Sequence, residues 1–365
     1  MFSRLYWASK IYFTSYGIAW FDLDLFTKIL KYVHSRGVVT GKELNSFILT
    51  TYRERFSKTE RENYYYEQLL RHLELALVVR KHRVKYVSLT NYGKSVLRKI
   101  SKSKSPKETE ETFKNIFLNW PPLQAFLKYI YSKGKASWKD IVEDLGGEMK
   151  KWTKILYEVG VRVAGLRKTG VKKPFNKFVV RNLFIPLSQQ LNLVDKCNGK
   201  LQISSEAKEA VENITLEKEY DIIKTMPGEY TIYSAIADTL SDAKEAIIAS
   251  PWINGTIVEL VKNTYKIWKK PQQITIIVRK DRKQHNLHHI RQLTKTPINI
   301  EVYYYNRLHA KVTANPQGPA TISSANLRET SLLRNYEIGT YYQRTPTTIL
   351  TALQELMSIA TKITI

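Results

Sequence analysis

The residue types best suited to chemistry lie close together near the C-terminal end of the chain. His309 and Lys311 stand two residues apart, Ser324 and Asn326 follow them, and Glu337 comes shortly afterwards. Residues two apart on a strand share a face, so the imidazole and the ammonium group can meet one ligand. An imidazole can attack a phosphodiester or move a proton, and ammonium, amide and hydroxyl groups stabilise charge on phosphate oxygens.

The spacing of these residues resembles the motif of the phospholipase D superfamily, which is HxK, four residues, Asp, six residues, G-S-x-N and a later Glu. Counting from Lys311, the G, S and N positions fall on Ser323, Ser324 and Asn326. The segment SANLRETSLLRNYEIG is also similar to the family, and the resemblance covers roughly residues 222–365. It implies an α/β domain that binds a phosphate group.

The resemblance further implies a role for each residue. His309 would attack phosphorus and form a covalent phosphohistidine, with Glu337 orienting its ring. Lys311, Asn326 and Ser324 would stabilise charge on the non-bridging oxygens, so no metal ion or other cofactor is expected. Family members with one motif copy pair as twofold dimers, and the second chain supplies the histidine that protonates the leaving oxygen. We therefore predict a homodimer formed through this domain.

The sequence departs from the family motif at two positions, which leaves two hypotheses about function. Pro316 stands at the Asp position and Ser323 at the Gly position. The first hypothesis is a metal-independent DNA nuclease, or phosphodiesterase. The second is a DNA-binding transcriptional regulator whose phospholipase D-like domain does not cut, as in some archaeal sugar-responsive regulators. DNA cleavage that persists in EDTA and is lost in His309→Ala would distinguish them.

The histidines and the cysteine outside this motif do not form a pattern that is typical of a metal site. His285, His288 and His289 lie close together but lack nearby cysteine or acidic partners, so a polar, partly exposed helix is predicted there. Cys197 is the single cysteine, which excludes an internal disulfide and any cysteine-cluster metal site.

Patterns of strands and helices alternate around the motif from about residue 217 onwards. Apolar strand patterns precede SPWI and recur in QQITIIVRK, INIEVYYY, HAKVTA, PATISSAN and YEIGTYY, and an amphipathic helix ends the chain. Such alternation predicts an α/β domain over residues 217–365, with a mixed sheet flanked by helices.

The N-terminal half contains a repeat that aligns without gaps. Ile29–Ile48 and Phe126–Leu145 each read as an apolar helix, a glycine, a Thr or Ser cap and a second short helix. A strand hairpin and a capped helix follow each copy. The pattern resembles the winged helix-turn-helix superfamily and predicts two mainly α modules, at 1–105 and 106–216, with Ser101–Thr112 as the linker. The glycines and caps are Gly37 and Thr40, then Gly134 and Ser137.

In such modules the third helix enters the major groove of DNA and the wing contacts the backbone, although winged helices also dock proteins. Each single Lys or Arg could equally be a solvated side chain. The candidate DNA contacts in the first module are Arg61, Tyr65, Gln68 and Arg71 on the helix, with Lys81, Arg83 and Lys85 on the wing. In the second module they are Lys151, Lys154, Arg167, Lys168, Lys172 and Lys173.

The positive charge is concentrated in the same half of the chain. The net charge is +25 overall, with +21 in residues 1–200 and +4 in residues 201–365. A basic surface binds nucleic acid by releasing condensed counterions, so double-stranded DNA is the favoured partner. A membrane surface is disfavoured, since no basic amphipathic helix with a wide apolar face is apparent.

Composition limits the remaining classes. The hydrophobic content of 43% is ample for packed cores, so the chain is not intrinsically disordered as a whole. No apolar run reaches the roughly 18 residues of a membrane helix. Arg4 and Lys10 interrupt the apolar N-terminus, so no signal peptide is predicted and a cytoplasmic location is expected.

Overall fold

A computed structural model describes residues 4–15, 21–51, 66–163, 165–214, 218–226, 229–280 and 285–365. The chain forms two compact units, one of residues 14–150 and 172–216 and the other of residues 2–13, 151–171 and 217–365. This grouping differs from the predicted division at 105 and 216. Both repeats fall in the first unit, and the first helix, α1 (Leu5–Phe13), belongs with the C-terminal residues.

The first repeat begins a module with a three-stranded antiparallel sheet, ordered β1-β3-β2. The hairpin turns at His82 and Arg83, both with positive φ, as a two-residue turn requires. Helix, strand, helix, helix, hairpin and helix follow in the order predicted for a winged helix. The elements are α2 (Leu23–Arg36), β1 (Val38–Thr40), α3 (Gly41–Thr51), α4 (Tyr66–His72), β2 (Ala76–Lys81), β3 (Val84–Leu89) and α5 (Asn91–Lys102).

The second repeat begins a similar series, in which the bridge between Ala136 and Leu201 replaces the β1–β3 pairing. No helix in the described part of the chain is long and apolar enough to cross a membrane. The elements are α6 (Pro106–Phe117), α7 (Pro121–Lys133), α8 (Trp138–Glu158), α9 (Lys177–Val179), a π-helical turn (Val180–Phe184), α10 (Ile185–Gln190), β4 (Val194–Cys197), β5 (Lys200–Ile203), a 3₁₀ turn (Ser205–Ala207) and α11 (Lys208–Glu212).

The predicted helix ends of the repeat are confirmed in both copies. Gly37 and Gly134 both have φ of 71°, a conformation that favours glycine, and each ends a helix. The Thr40 and Ser137 hydroxyls each accept a hydrogen bond of 3.2 Å from the backbone N–H three residues later. An acidic side chain at that later position bonds back to the cap residue, so both helices start with a capping box.

The predicted linker Ser101–Thr112 is wrong, because most of it is helical. Pro106 occupies the first turn of α6, where its missing N–H is not needed, and Ser105 caps the helix. Phe113 and Phe117 are buried on the same helix. A proline and a polar composition therefore mark the start of a helix here, and two buried aromatic side chains hold it in the unit.

The second short helix predicted after Ser137 is also different, since α8 continues for 21 residues. It passes through Gly146, where a Cβ atom would lie 2.7 Å from the carbonyl oxygen of Phe175. Glycine therefore permits close approach by a neighbouring segment and does not break the helix. As a result, Lys151 and Lys154 lie on α8, and the helical segment before the β4–β5 hairpin is residues 177–190.

The C-terminal residues form a nine-stranded mixed sheet, ordered β14-β10-β9-β8-β11-β12-β13-β6-β7. β8, β9 and β10 are parallel, and the remaining pairs are antiparallel. The elements are β6 (Tyr220–Met226), β7 (Glu229–Tyr230), α12 (Thr231–Ser241), β8 (Glu245–Ser250), α13 (Gly255–Trp268), β9 (Gln273–Val278), α14 (His285–Ile290), β10 (Asn299–Tyr304), β11 (Val312–Ala314), β12 (Ala320–Ser323), α15 (Glu329–Leu333), β13 (Glu337–Tyr342), α16 (Thr347–Ile359) and β14 (Thr361–Ile363).

Helices cover both faces of this sheet, as predicted. α12 packs against β6, β11, β12 and β13. Leu353 of α16 belongs to a buried cluster with Ala249, Ile277 and Ala314, which come from β8, β9 and β11. The prediction of a C-terminal α/β domain with a mixed sheet flanked by helices is therefore confirmed.

Helix α1 is joined to this domain through a buried carboxylate on α12. Asp238 accepts hydrogen bonds from the Tyr341 hydroxyl at 2.6 Å and from the Tyr6 backbone N–H at 3.4 Å, and it pairs with Arg4 at 3.5 Å. Burial raises the pKa of Asp238, and the Arg4 charge opposes that rise. The Tyr6 hydroxyl donates to Asp221 on β6 at 2.7 Å. The first residues of the chain thus complete the core made by the last third.

Candidate active site

The antiparallel order of three strands brings the motif residues to one edge of the sheet. β11 begins, β12 ends and β13 begins at this edge. His309 and Lys311 immediately precede β11, Ser324 and Asn326 follow β12, and Glu337 is the first residue of β13. The hydrogen-bond register, and not closeness in sequence, therefore assembles the group.

His309 is exposed in this site, and Lys311 beside it is half-buried. The Lys311 Nζ atom lies 3.3 Å from each ring nitrogen of His309. A neutral imidazole has one accepting nitrogen, so only one of these contacts is a hydrogen bond at a time. Partial burial lowers the pKa of Lys311, and the nearby charge of Glu337 opposes that effect. An imidazole and an ammonium group thus lie within reach of one ligand.

Glu337 contacts groups other than the imidazole it was predicted to orient. The Ser324 hydroxyl donates a short hydrogen bond to its Oε2 atom, and the Asn335 side-chain amide donates to Oε1 at 3.2 Å. Ser324 also accepts a hydrogen bond of 3.2 Å from the Ile338 backbone N–H. The carboxylate therefore fixes the loop after β12. The contact of Asn335 was not predicted from the sequence. The only sequence feature that indicates it is that Asn335 lies two residues before Glu337.

Asn326 contributes an amide with unused hydrogen-bonding capacity. Its Oδ1 atom is buried and has no partner among the described residues. The next residue, Leu327, donates its backbone N–H to the Ser250 hydroxyl at 3.3 Å, and Ser250 in turn donates to the Trp252 carbonyl at 2.9 Å. The SPWI loop after β8 therefore supports the Asn326 loop. A buried amide oxygen without a partner costs free energy unless a hydrogen-bond donor completes it, while the amide N–H groups are the part that can donate to a phosphate oxygen.

The departure from the motif at Pro316 lies away from this site. Pro316 is in the turn between β11 and β12, at the opposite end of both strands. Gly318 donates its backbone N–H to the Asn315 carbonyl at 3.0 Å, and Gln317 donates to the Asn315 side chain at 3.0 Å. Asn, Pro and Gly stand at the turn positions that favour each of them. The proline therefore serves the turn and removes no group from the site.

The second departure, Ser323, is accommodated by a glycine on the neighbouring strand. Ser323 pairs with Gly339 across β12 and β13. A Cβ atom on Gly339 would lie 2.7 Å from that of Ser323 and 2.3 Å from the Ile322 carbonyl oxygen. Because Gly339 has no side chain, there is space for the side chain of Ser323, where the family motif has glycine.

The three histidines of α14 lie near the same edge without forming a metal site. Asn286 of this helix bonds to the Pro251 and Arg279 carbonyls, which follow β8 and β9. Burial lowers the pKa of His289, and the charges of His288, His285 and Arg328 add to that effect. Within the described ranges no group of three His, Cys, Asp or Glu side chains could hold a metal ion.

Part of the predicted DNA-reading helix lies outside the described residues. Arg61 and Tyr65 fall in that part. Gln68 and Arg71 lie on α4 and are both half-buried. The Arg71 guanidinium is 3.2 Å from the His72 ring, so its position is partly fixed by its neighbour.

The predicted wing residues differ in their freedom to contact a partner. Lys81 and Arg83 are exposed at the hairpin tip. Lys85 is half-buried and forms a short ion pair with Glu67, whose side chain is 2% exposed. Lys85 thus joins the hairpin to α4, while Lys81 and Arg83 remain exposed at its tip.

The predicted contacts of the second module do not form one helix. Lys154 pairs with Glu158 on α8 at 3.7 Å. Burial lowers the pKa of Lys173. The segment carrying several of these residues, 151–171, groups with the C-terminal unit. The exposed side chains are those of Lys151, Lys154, Arg167, Lys168 and Lys172.

A comparison with known families addresses the C-terminal domain. Residues 236–358 match the family described as "Cardiolipin synthase, PLD-like domain". The C-terminal domain is phospholipase D-like. The matched region contains six of the nine strands and every motif residue of the phospholipase D-like site. No curated protein matches the chain.

Solved structures similar to parts of the chain include two bacterial proteins. One is Nuc, a phospholipase D family member from Salmonella typhimurium, at 14% identity over 40% of this chain and 97% of that one, with a TM-score of 0.33. The other is NucT from Helicobacter pylori, at 19% identity over 40% and 100%, with a TM-score of 0.31. TrmBL2, an archaeal chromatin protein, is 12% identical over 90% of this chain and 89% of its own, with a TM-score of 0.27.

Proposed function

We propose that this protein is a DNA-binding phosphodiesterase whose phospholipase D-like domain cuts DNA without a metal ion. The main support is that an imidazole, an ammonium group and a side-chain amide, from His309, Lys311 and Asn326, emerge at one sheet edge. Phosphate cleavage can use all three groups: the imidazole as nucleophile, and the ammonium and amide groups to stabilise charge on the phosphate oxygens. The departure at Pro316 does not weaken the proposal, because that residue lies at the other end of its strand.

The first step of the proposed reaction is attack by His309 on phosphorus. A nitrogen–phosphorus bond forms, the bond to one ester oxygen breaks, and that oxygen takes a proton from a second imidazole. Lys311 and the Asn326 amide stabilise charge on the non-bridging oxygens. In the second step water replaces the nitrogen, and the second imidazole takes the proton of the water, so each imidazole returns to its starting state.

The second imidazole is the partner's His309 in a twofold dimer. Beside the site, the outer side of β6 and β13 carries the exposed apolar side chains of Tyr220, Ile222 and Ile338, which we call the β6–β13 face. Their exposed fractions are 58%, 47% and 51%. Ile338 adjoins Glu337 and bonds to Ser324, so the face is continuous with the site. Apolar surface beside a half-complete site supports burial by a second copy.

DNA binding is assigned to the two N-terminal modules, which we propose are winged helices. Residues 1–200 carry a net charge of +21, and the hairpin tip presents Lys81 and Arg83. Such charges bind a phosphate backbone largely without regard to base sequence. Their function in the proposal is to hold DNA, while the chemistry belongs to His309.

A cleavage assay on mixed duplex DNA in EDTA tests the proposal. We expect the wild-type chain to cut, and His309→Ala to lose cleavage at least about a thousandfold, because the covalent step requires the nucleophile. His34→Ala is a matched control, since His34 is an exposed histidine on α2. If His309→Ala cuts as well as the wild type, the proposed nucleophile is wrong.

The second candidate function is a DNA-binding regulator that does not cut. It is favoured by the hydrogen bonds of Glu337, which go to Ser324 and Asn335 and leave His309 without a carboxylate to orient it. Stable DNA binding by wild-type protein without cleavage, across different sequences and salt concentrations, would support this candidate and contradict the first.

A further inference from the structure

A groove of about 320 Å³ lies within the N-terminal unit, between the helical segment 177–190 and the β4–β5 hairpin. We call it the Trp138 groove. It lies in a different unit from His309, and its lining includes Arg181, one of the basic residues of the second module. Its volume is at the lower end of the range for small-ligand sites. The lining residues that matter here are Trp138, Arg181, Ile185, Gln189, Lys196 and Leu201.

The sequence builds this groove from two sides. In the segment 177–190, Val180, Leu183 and Phe184 are buried in the unit. Arg181, Ile185 and Gln189, spaced four residues apart, line the groove instead. Trp138 starts α8 directly after the Ser137 cap, and the bridge between Ala136 and Leu201 holds the hairpin beside it. Capping and strand pairing therefore set the position of the groove walls.

Several cationic side chains lie around the groove. The Arg181 guanidinium and the Lys177 ammonium lie 5.5 and 5.6 Å from the Trp138 ring centroid, and Lys139 lies 6.0 Å from it. None of these three, nor Lys196, forms a salt bridge among the described residues. Three positive charges thus lie around one aromatic ring, and none of them is in an ion pair within the described ranges. The ring attracts each cation, but an anionic ligand would neutralise them more completely.

We propose that the Trp138 groove binds one unpaired nucleotide. The planar base lies against Trp138 and the apolar floor of Ile185 and Leu201, and the phosphate pairs with Arg181 and Lys196. A nucleotide combines the two features that the groove selects, a flat apolar face and a negative charge. A base within a duplex is stacked on its neighbours and does not present its face to such a concave site.

This inference goes beyond the proposed function, which requires only backbone contacts and the site of His309. The nucleotide has two sources with the same chemistry, a free mononucleotide or an unpaired position in a DNA strand. Binding measured without cleavage therefore tests the groove independently, and the result does not depend on whether the phospholipase D-like domain cuts.

The test uses the full chain carrying His309→Ala and follows the fluorescence anisotropy of labelled oligothymidylate. We expect Trp138→Leu and Arg181→Gln each to weaken its binding about tenfold, because each removes one half of the contact. Trp138→Phe keeps an aromatic face and should stay within about twofold of the parent. If thymidine monophosphate competes with the oligonucleotide, a free mononucleotide is sufficient to occupy the groove. If it does not compete, the groove binds a nucleotide only as an unpaired position in a DNA strand.

Arg98→Gln is the matched control, because Arg98 is an exposed arginine on α5 of the same unit. It makes the same charge change as Arg181→Gln and should alter binding less than about twofold. Equal losses in the two arginine variants would overturn the proposal, since they would reflect charge alone. The proposal would also be overturned if Trp138→Leu and Arg181→Gln weakened the binding of a duplex of the same length as much as they weaken the binding of oligothymidylate. Unchanged oligothymidylate binding by both variants would overturn it too.

Discussion

Asn326 and Pro316 hold two positions of one sequence motif but lie at opposite ends of the β11–β12 hairpin. The unpaired amide of Asn326 is at the edge with His309, whereas Pro316 belongs to a turn whose hydrogen bonds are made by its neighbours. A motif read along the chain gives every position equal weight. The fold separates the positions that can touch a phosphate from the position that shapes a turn.

Substitutions at these two positions should have very different effects. We expect Asn326→Ala to lower DNA cleavage by about a hundredfold, because one donor to the developing charge is lost. Pro316→Asp should change cleavage by less than about threefold, since aspartate is also favoured in turns. Single-turnover rates in EDTA measure both. A large gain of activity in Pro316→Asp would mean that the motif carboxylate acts at the site after all.

Sequence spacing was sufficient to choose candidate residues that emerge at one edge of the sheet, but not to assign their contacts. His309, Lys311, Ser324, Asn326 and Glu337 lie at this edge because short strands fix where each side chain emerges. Which group Glu337 binds depends on the pairing of β12 with β13, which brings Ser324 and the Ile338 backbone together. Such pairing is a long-range property, and residue spacing does not determine it.

Local chemistry predicts the start and end of elements better than their length. Thr40 and Ser137 cap helices as expected, because a cap acts over a few residues. The length of α8 depends on the approach of Phe175 to Gly146, and α6 depends on the burial of Phe113. Both are tertiary contacts, so the predicted short helix and linker were wrong where packing decided the outcome.

The β6–β13 face makes a prediction about assembly. We expect Ile222→Asp to convert the proposed dimer to a monomer, because a carboxylate in an apolar interface would be buried without a partner. Sedimentation velocity measures the change, and EDTA-resistant cleavage should fall with it. Ile359→Asp is the control, since Ile359 is also an exposed isoleucine, at the end of α16. A wild-type monomer at working concentration, or a dimer of the Ile222→Asp protein, would contradict this surface as the interface.

At the scale of the whole chain, the two compact units do not follow the order of the sequence. The division at residues 105 and 216 was predicted from the repeat and from the change in composition. Neither the repeat nor the change in composition predicts that α1 packs on α12. Arg4 and Tyr6 contact Asp238, which is more than half of the chain away in sequence. Long-range burial of a short apolar helix leaves no local mark on the sequence.

Removal of residues 1–13 should therefore destabilise the C-terminal unit. Asp238 would keep Tyr341 but lose Arg4 and the Tyr6 N–H, which leaves a buried carboxylate poorly compensated and costs about 3 kcal/mol. Chemical denaturation followed by far-UV circular dichroism measures the loss. Adding Asp238→Asn to the truncated chain should recover part of the stability, since an amide carries no charge. An unchanged unfolding midpoint after truncation would show that α1 is dispensable.

The docking of α1 also bears on how the chain folds during synthesis. Tyr6 leaves the ribosome 232 residues ahead of Asp238, and Tyr341 is made later still. The apolar side of α1 must therefore stay without its final partner while most of the protein is translated. Because exposed apolar segments of nascent chains invite aggregation, this helix is where a chaperone would be needed first.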